Sequence, residues 1–312
     1  MKSFSSNVHD YEPDCWELQY ENRRYLAGME SDQLAKRYVA IVRNFRVFVR
    51  PECDVVPIHC YFGSWYWYRK EHQSRYEFFQ RNLDPPCAPP TQVVSVPDVP
   101  AISSQRFPDA KIIFRYGNSD AMRKSFSGSV RITAAPIYDS SEMNEARSDD
   151  ELNKHTFLPA LYTTLRTADG QNIELMSDIR RTSSSPDYYI LCASCEWSDE
   201  LFQAFNADTC LVIRKPEIFA DRLSSAAAAV AELKGWYFHH GPVHYFDPYE
   251  WKLDDPFLAP NSKDFRFAYQ REYRFLWNPL RLNVSAVAIR TLQLGPLNDI
   301  AELYDASGTR LA

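Results

Sequence analysis

Seven prolines fall between Asp84 and Pro108: Pro85, Pro86, Pro89, Pro90, Pro97, Pro100 and Pro108. Each holds φ near −65° and lacks a backbone N–H, so neither a regular helix nor a central strand can run through this window. It therefore reads as a linker or surface strap. It divides the 312-residue chain into a helical, aromatic-rich N-terminal region (1–83), a Pro-rich linker (84–108) and a longer mixed part (109–312).

Residues 1–30 read as irregular and polar. Ser31 then offers an N-cap, and Leu34, Tyr38, Ile41, Val42 and Phe45 recur at helical spacing. A second helix is expected from Ser64 to Asn82, with Trp65, Tyr68, His72, Tyr76 and Phe79 as an aromatic stripe interrupted by Arg and Lys. The simpler reading is a helical hairpin packing this stripe on the rest of the protein. The sharper ones are a surface for a protein partner or a second copy of the chain, or for stacked bases. The net charge of −6 (35 basic against 41 acidic residues) opposes the last, because nucleic-acid binding normally wants a basic field.

After the linker the period becomes that of strands. Lys111–Tyr116, Ser129–Ala134, Asp187–Cys195, Thr209–Arg214, Val243–Phe246, Glu272–Trp277 and Val284–Ile289 are β candidates. Asn118–Ser127 and Pro216–Leu233 read as helices, and Asp139–Lys154 as an acid-rich loop running into another. The expected class is α+β, a helical front end followed by a mostly short-stranded core with flanking helices.

The chain has only nine glycines and no two lie two apart, so GxGxxG is absent; GxxxxGK[ST], GxSxG and HExxH are absent as well. The commonest Rossmann, P-loop, α/β-hydrolase and zincin signatures are thereby excluded. No apolar run approaches the roughly 20 residues of a membrane span, and the polar start Met1–Asp10 does not look like a secretory signal. Seven scattered cysteines fit reduced thiols in a cytoplasmic protein rather than a disulfide framework. The CxxC of Cys192 and Cys195 sits in an apolar stretch and reads as packing, with zinc the minority reading.

Other constellations are weak. His239, His240 and His244 cluster, but Gly241 and Pro242 break the helix that would align the last two on a metal, and no metal is expected. A PD…ExK nuclease set can be assembled from Asp187, Glu232 and Lys234, yet its second half ends an alanine-rich helix. The acidic run Ser148–Glu151 reads as a solvated helix start, with a metal-binding carboxylate cluster the lesser reading. In Arg271–Trp277, Glu272 lies between Arg271 and Arg274 on an aromatic strand, which suits either an edge ion-pair ladder or a carboxylate kept ionised for chemistry.

Five segments in order resemble a bacterial family of unassigned function with lYKYRs-, wFSsP-, FNDpfE-, ilCfS- and EkEyR-type motifs. They are Ile113-Phe114-Arg115-Tyr116-Gly117-Asn118, Val130-Arg131-Ile132-Thr133-Ala134-Ala135-Pro136, Met143-Asn144-Glu145, Tyr189-Ile190-Leu191-Cys192-Ala193-Ser194 and Arg271-Glu272-Tyr273-Arg274. The likeness spans roughly 111–278. It departs from the pattern at Glu145, Ala146 and Gly117, where the family has Asp, an aromatic residue and Arg. That family is similar in strand order to the ADP-ribosyltransferase superfamily, which implies a catalytic set of Arg115, Thr133 and Glu272. It also implies NAD as substrate, contacted by Arg115, Tyr116, Arg131, Asn144 and Arg274, with a protein or nucleic-acid acceptor and a toxin, effector or defence role, including delivery to a target cell. Cleaving the nicotinamide–ribose bond passes through an oxocarbenium-like cation that a fixed carboxylate can steady. The alternatives are a non-catalytic partner-binding protein on the same scaffold and, behind it, a metal-dependent nuclease.

Overall fold

Three helices open the described chain: α1 (Pro13–Glu21), α2 (Ser31–Val47) and α3 (Tyr66–Gln80). The computed structural model describes residues 12–47, 65–87, 112–139, 146, 149–160, 163–250, 259–280, 285–286 and 288–312; the linker beyond Cys87 lies outside them. α1 falls within residues 1–30, where irregular structure is expected. Its Pro13 occupies the first turn, where a missing N–H costs nothing, and only Trp16 and Tyr20 are buried. α2 buries Leu34, Tyr38, Ile41 and Val42, as their spacing predicts.

α3 turns inward a different face from its aromatic stripe. Tyr66, Trp67, Lys70, Gln73, Ser74, Glu77 and Phe78 are buried, whereas Trp65, Tyr68, His72 and Tyr76 are half-buried and Phe79 is 73% exposed. The charged members of the buried face arrive already paired, which removes most of the cost of desolvating them. Glu77 accepts hydrogen bonds from Tyr20 (2.6 Å), Arg24 (2.9 Å) and Arg81 (2.6 Å). The stripe rings pack sideways within the helical layer, Tyr68 on Phe45 (4.5 Å between centroids) and His72 on Trp16 (5.7 Å).

The helices share a core with the rest of the protein. Ile41, Tyr66 and Trp67 join Leu201, Val243, Tyr245, Phe265 and Phe267 in one apolar cluster. Beside it Asp247, 1% exposed, accepts two hydrogen bonds from Arg37 (2.9 and 2.8 Å) and one from Tyr66 (2.9 Å).

The second part is an α+β fold. β1 (Ile113–Gly117), α4 (Ser119–Phe126) and β2 (Ser129–Ala134) come first; the Asn118 side chain caps α4 by accepting from the Ala121 N–H at 2.9 Å. A hairpin of β3 (Asn153–Leu158) and β6 (Ile179–Ser184) follows, carrying the short pair β4 (Leu165–Arg166) and β5 (Asn172–Ile173). Then come β7 (Tyr189–Ser194), α5 (Asp199–Ala204), β8 (Thr209–Ile213) and α6 (Pro216–Ala228). β9 (Trp236–Pro242), β10 (His244–Phe246), β11 (Ser262–Asp264), β12 (Glu272–Pro279), β13 (Arg290–Gln293) and β14 (Ala301–Asp305) complete the order. The main sheet runs β13-β2-β7-β1-β8-β14, with β12 paired to β7 and β9 paired to β12. All its pairings are antiparallel.

Three expectations are corrected. No helix follows the acidic loop: Asn153 opens β3, because Asp149, Glu151 and Lys154 are buried together rather than solvated at a helix start. His239, His240, Gly241 and Pro242 lie within β9, whose other edge is unpaired among the described residues, so Pro242 withholds no needed donor. The strand expected over Val284–Ile289 begins only at Arg290; Val284 itself lies outside the described residues.

Candidate active site

The sheet creates a cleft by giving one strand two neighbours on the same edge. Ser194 of β7 is registered with Glu272 on one side and Phe114 on the other; Ile190 is registered with Leu276 and Thr133. β1 and β2 thus run in the same direction along one edge of β7 and would collide near Leu191 and Cys192. Each leaves before that point: Arg115–Gly117 continue only with β8, and Ser129–Ile132 only with β13. Leu191, Cys192 and Ala193 are left registered with β12 alone.

A cavity of about 360 Å³ fills the gap, at the small end of the range for small-molecule sites. Arg115 from β1, Thr133 from β2 and Glu272 from β12 all line it, together with Tyr116 and Arg131. Arg115 is half-buried and donates from Nη1 to Ser125 Oγ of α4 (2.7 Å). Arg131 is exposed at the cavity wall. The Tyr116 hydroxyl is spent structurally, donating to the Glu196 carbonyl (2.6 Å) and accepting from the Ser198 N–H (2.9 Å), so only its ring is offered to a ligand. Asn144 lies outside the described residues. Arg274 does not reach the cavity: 1% exposed, it donates to Glu272 (2.7 Å), Glu151 (2.8 Å) and the Pro260 carbonyl (2.7 Å). Its expected contact with NAD is replaced by a partnership with the carboxylate.

Glu272 is held from every side. Its N–H donates to the Tyr245 hydroxyl (2.8 Å), and its carbonyl accepts from the Val243 N–H (2.9 Å). The residue before it, Arg271, sits in the left-handed region (φ 42°, ψ 51°), a conformation that costs a non-glycine residue about 1 kcal/mol or more. An ion pair to Glu196 (2.9 Å) and the Cys195 N–H to Arg271 carbonyl bond (2.8 Å) hold that turn against β7. The side chain accepts at Oε1 from Arg274 Nε (2.7 Å) and at Oε2 from Lys263 Nζ (2.6 Å). Lys263 and Glu151 also line the cavity; no sequence motif marks Lys263, and Glu151 belongs to the acidic run expected to be solvated.

These groups belong to one buried set of six charges. Asp149, Glu151 and Glu272 face Lys154, Lys263 and Arg274, every member at most 5% exposed. Burial alone would raise the Glu272 carboxyl, but Arg274 and Lys263 outweigh it and hold the group well below the usual carboxylate range. Burial likewise disfavours the Lys263 ammonium, yet Glu272, Glu151 and Asp149 leave its pKa raised. Cys192, on the cavity wall, is pushed well up by burial and then by Glu272, so it stays a thiol and not a nucleophile at neutral pH.

The remaining sequence candidates do not converge. His239 pairs with Asn261 (2.9 Å) and His240 with the Tyr273 hydroxyl (2.7 Å), while His244 is exposed. Among the described residues no three His, Cys, Asp or Glu side chains are grouped to hold a metal ion. Glu232 and Lys234 are exposed and, like Asp187, stand apart from the cavity wall. No described helix is long and apolar enough to cross a membrane. No protein-family model matches the chain, and no curated protein or solved structure does either.

Proposed function

We propose that the protein is an NAD-cleaving enzyme of the ADP-ribosyltransferase type. The observation that carries the reading is the meeting of Arg115, Thr133 and Glu272, from three strands spread over about half the chain, on one cavity. Glu272 is ionised, and a carboxylate has about four lone-pair sites; the two bonds it already accepts leave room for ribose hydroxyls. The Arg115 and Arg131 guanidinium groups suit the pyrophosphate, with Arg131 at the open side. In the reaction the ribose C1′–N bond breaks and its electron pair stays on the ring nitrogen, releasing neutral nicotinamide. The C1′ cation is captured by an acceptor whose proton passes to solvent. The acceptor is a protein side chain, a nucleic-acid base or water. A cytoplasmic setting, a toxin or defence role and a partner at the exposed end of α3 belong to the same proposal.

One observation favours a second reading, a ligand-binding module without turnover. Lys263 and Arg274 directly offset the negative charge of Glu272, which weakens its field on an oxocarbenium ion. Incubation with labelled NAD decides between them. Released nicotinamide that is lost in Thr133→Val and Glu272→Gln, with folding checked by thermal unfolding, supports the enzyme; NAD binding without release supports the module.

A further inference from the structure

Lys263 is the one basic group at the floor of the cavity that is both buried and, among the described residues, incompletely satisfied. It is 4% exposed and lines the cavity. Its ammonium has three protons; one goes to Glu272 Oε2 (2.6 Å) and one to Gln270 Oε1 (2.9 Å), while the Phe267 ring lies 4.7 Å from Nζ and no oxygen or nitrogen of the described residues accepts the third. Gln270 is fixed in turn, donating to the Ala146 carbonyl (2.8 Å) and the Tyr269 hydroxyl (3.1 Å), so it cannot turn its amide to follow a different lysine position. The cavity floor thus presents a donor beside an acceptor on adjacent groups, with near-balanced charge around them.

An anion is a poor occupant there, since Glu272 and Glu151 line the same floor. A neutral group that donates and accepts at neighbouring atoms fits both, and a vicinal diol is such a group: one hydroxyl gives its proton to Glu272, and an oxygen receives the third proton of Lys263. We propose that Lys263 contacts the substrate directly and, with Glu272, reads the cis-diol of the ribose whose glycosidic bond is cleaved. This rests on the NAD-cleaving reading above and names a contact that the sequence likeness did not supply.

The test is a coupling measurement. NAD cleavage is compared for the native protein and Lys263→Met, each with NAD and with the analogue lacking the 2′-hydroxyl on the nicotinamide ribose, and again with the 3′-deoxy analogue. A hydrogen bond from a charged donor is worth about 1.5–3 kcal/mol, so Lys263→Met is expected to lower kcat/KM for NAD about 10- to 100-fold. For one of the two deoxy analogues the lysine substitution should then cost little more, because the hydroxyl it served is already gone. Lys263→Arg keeps a cation for Glu272 while moving the free donor, so it serves as the folded control if Lys263→Met unfolds; it should show the same loss of coupling. Equal losses with NAD and with both deoxy analogues would assign Lys263 a purely supporting role and overturn the proposal. If the native protein neither binds nor cleaves NAD, the parent reading fails and this inference goes with it.

Discussion

Replacing Glu272 by Gln removes one of three negative charges from a buried set that also holds three positive ones. Lys263 and Arg274 each lose a charged acceptor at 2.6 and 2.7 Å, and a glutamine can present its single carbonyl oxygen to only one of them. Breaking a buried ion pair by removing one partner costs about 3–5 kcal/mol, chiefly through the charge left uncompensated. That is a large fraction of the roughly 5–15 kcal/mol by which domains are stable. Lys263→Met unbalances the same set in the opposite sense, so the double variant restores neutrality. The expected outcome in urea unfolding at pH 7 is two single variants each losing about 3–5 kcal/mol. The double variant should lose about 2–3 kcal/mol less than the sum of the two. Additivity within about 0.5 kcal/mol would show that the charges are not coupled and would refute the account of Glu272 given above. The result also governs activity assays, because a Glu272→Gln preparation must be corrected for its unfolded fraction.

Two further outcomes follow from geometry. At Gly128 (φ 101°), between α4 and β2, an added Cβ would lie 2.1 Å from the backbone carbonyl oxygen of Gly295; Gly128→Ala is expected to cost at least about 3 kcal/mol in thermal unfolding, and a loss under 1 kcal/mol would contradict this close approach of the two backbones. Asp247 is raised by burial but pulled down further by Arg37 and Lys70, so its folded value lies below the ordinary 3.8. The unfolded chain therefore takes up the proton first, and the stability Asp247 contributes is present above about pH 4 and lost as pH falls below it. Tryptophan fluorescence titrated from pH 6 to 2 should report loosening of α2 and α3 in acid, a transition that Asp247→Asn flattens; an unchanged transition in that variant would place the acid sensitivity elsewhere.

Strands with a local signal were legible. Ser129–Ala134 forms β2 with the expected bounds, and Thr209–Arg214 differs from β8 by one residue, because β-branched and apolar runs between turn residues encode them directly. The helix expected over Pro216–Leu233, with its alanine run Ala226–Ala229, starts at Pro216 but ends at Ala228. What escaped was set by tertiary context. Lys70, Gln73 and Glu77 are polar in any periodicity count, yet they form the buried face of α3 because Tyr25, Tyr20 and Arg24 meet them. Asp149 and Glu151 read as solvated acids for the same reason: their partners Lys154, Lys263 and Arg274 include residues more than 100 positions away. At the cavity, Arg115, Thr133 and Glu272 entered through a motif likeness, whereas Lys263 sits in a segment with no pattern to mark it. Only the pairing of β10 with β11, which registers Tyr245 with Lys263, carries that lysine beneath the carboxylate.

Because β1 and β2 peel from a shared rail, the depth and floor of the pocket are written into hydrogen-bond register, not into loop length. Insertions in surrounding loops would reshape the entrance and change what is admitted while leaving the base untouched. A one-residue slip of β12 against β7 would instead swap Glu272 for Arg271 or Tyr273 opposite Ser194 and take the carboxylate out of the polar floor. Variation in ligand choice is thereby free to occur at the rim, whereas the basement tolerates almost none.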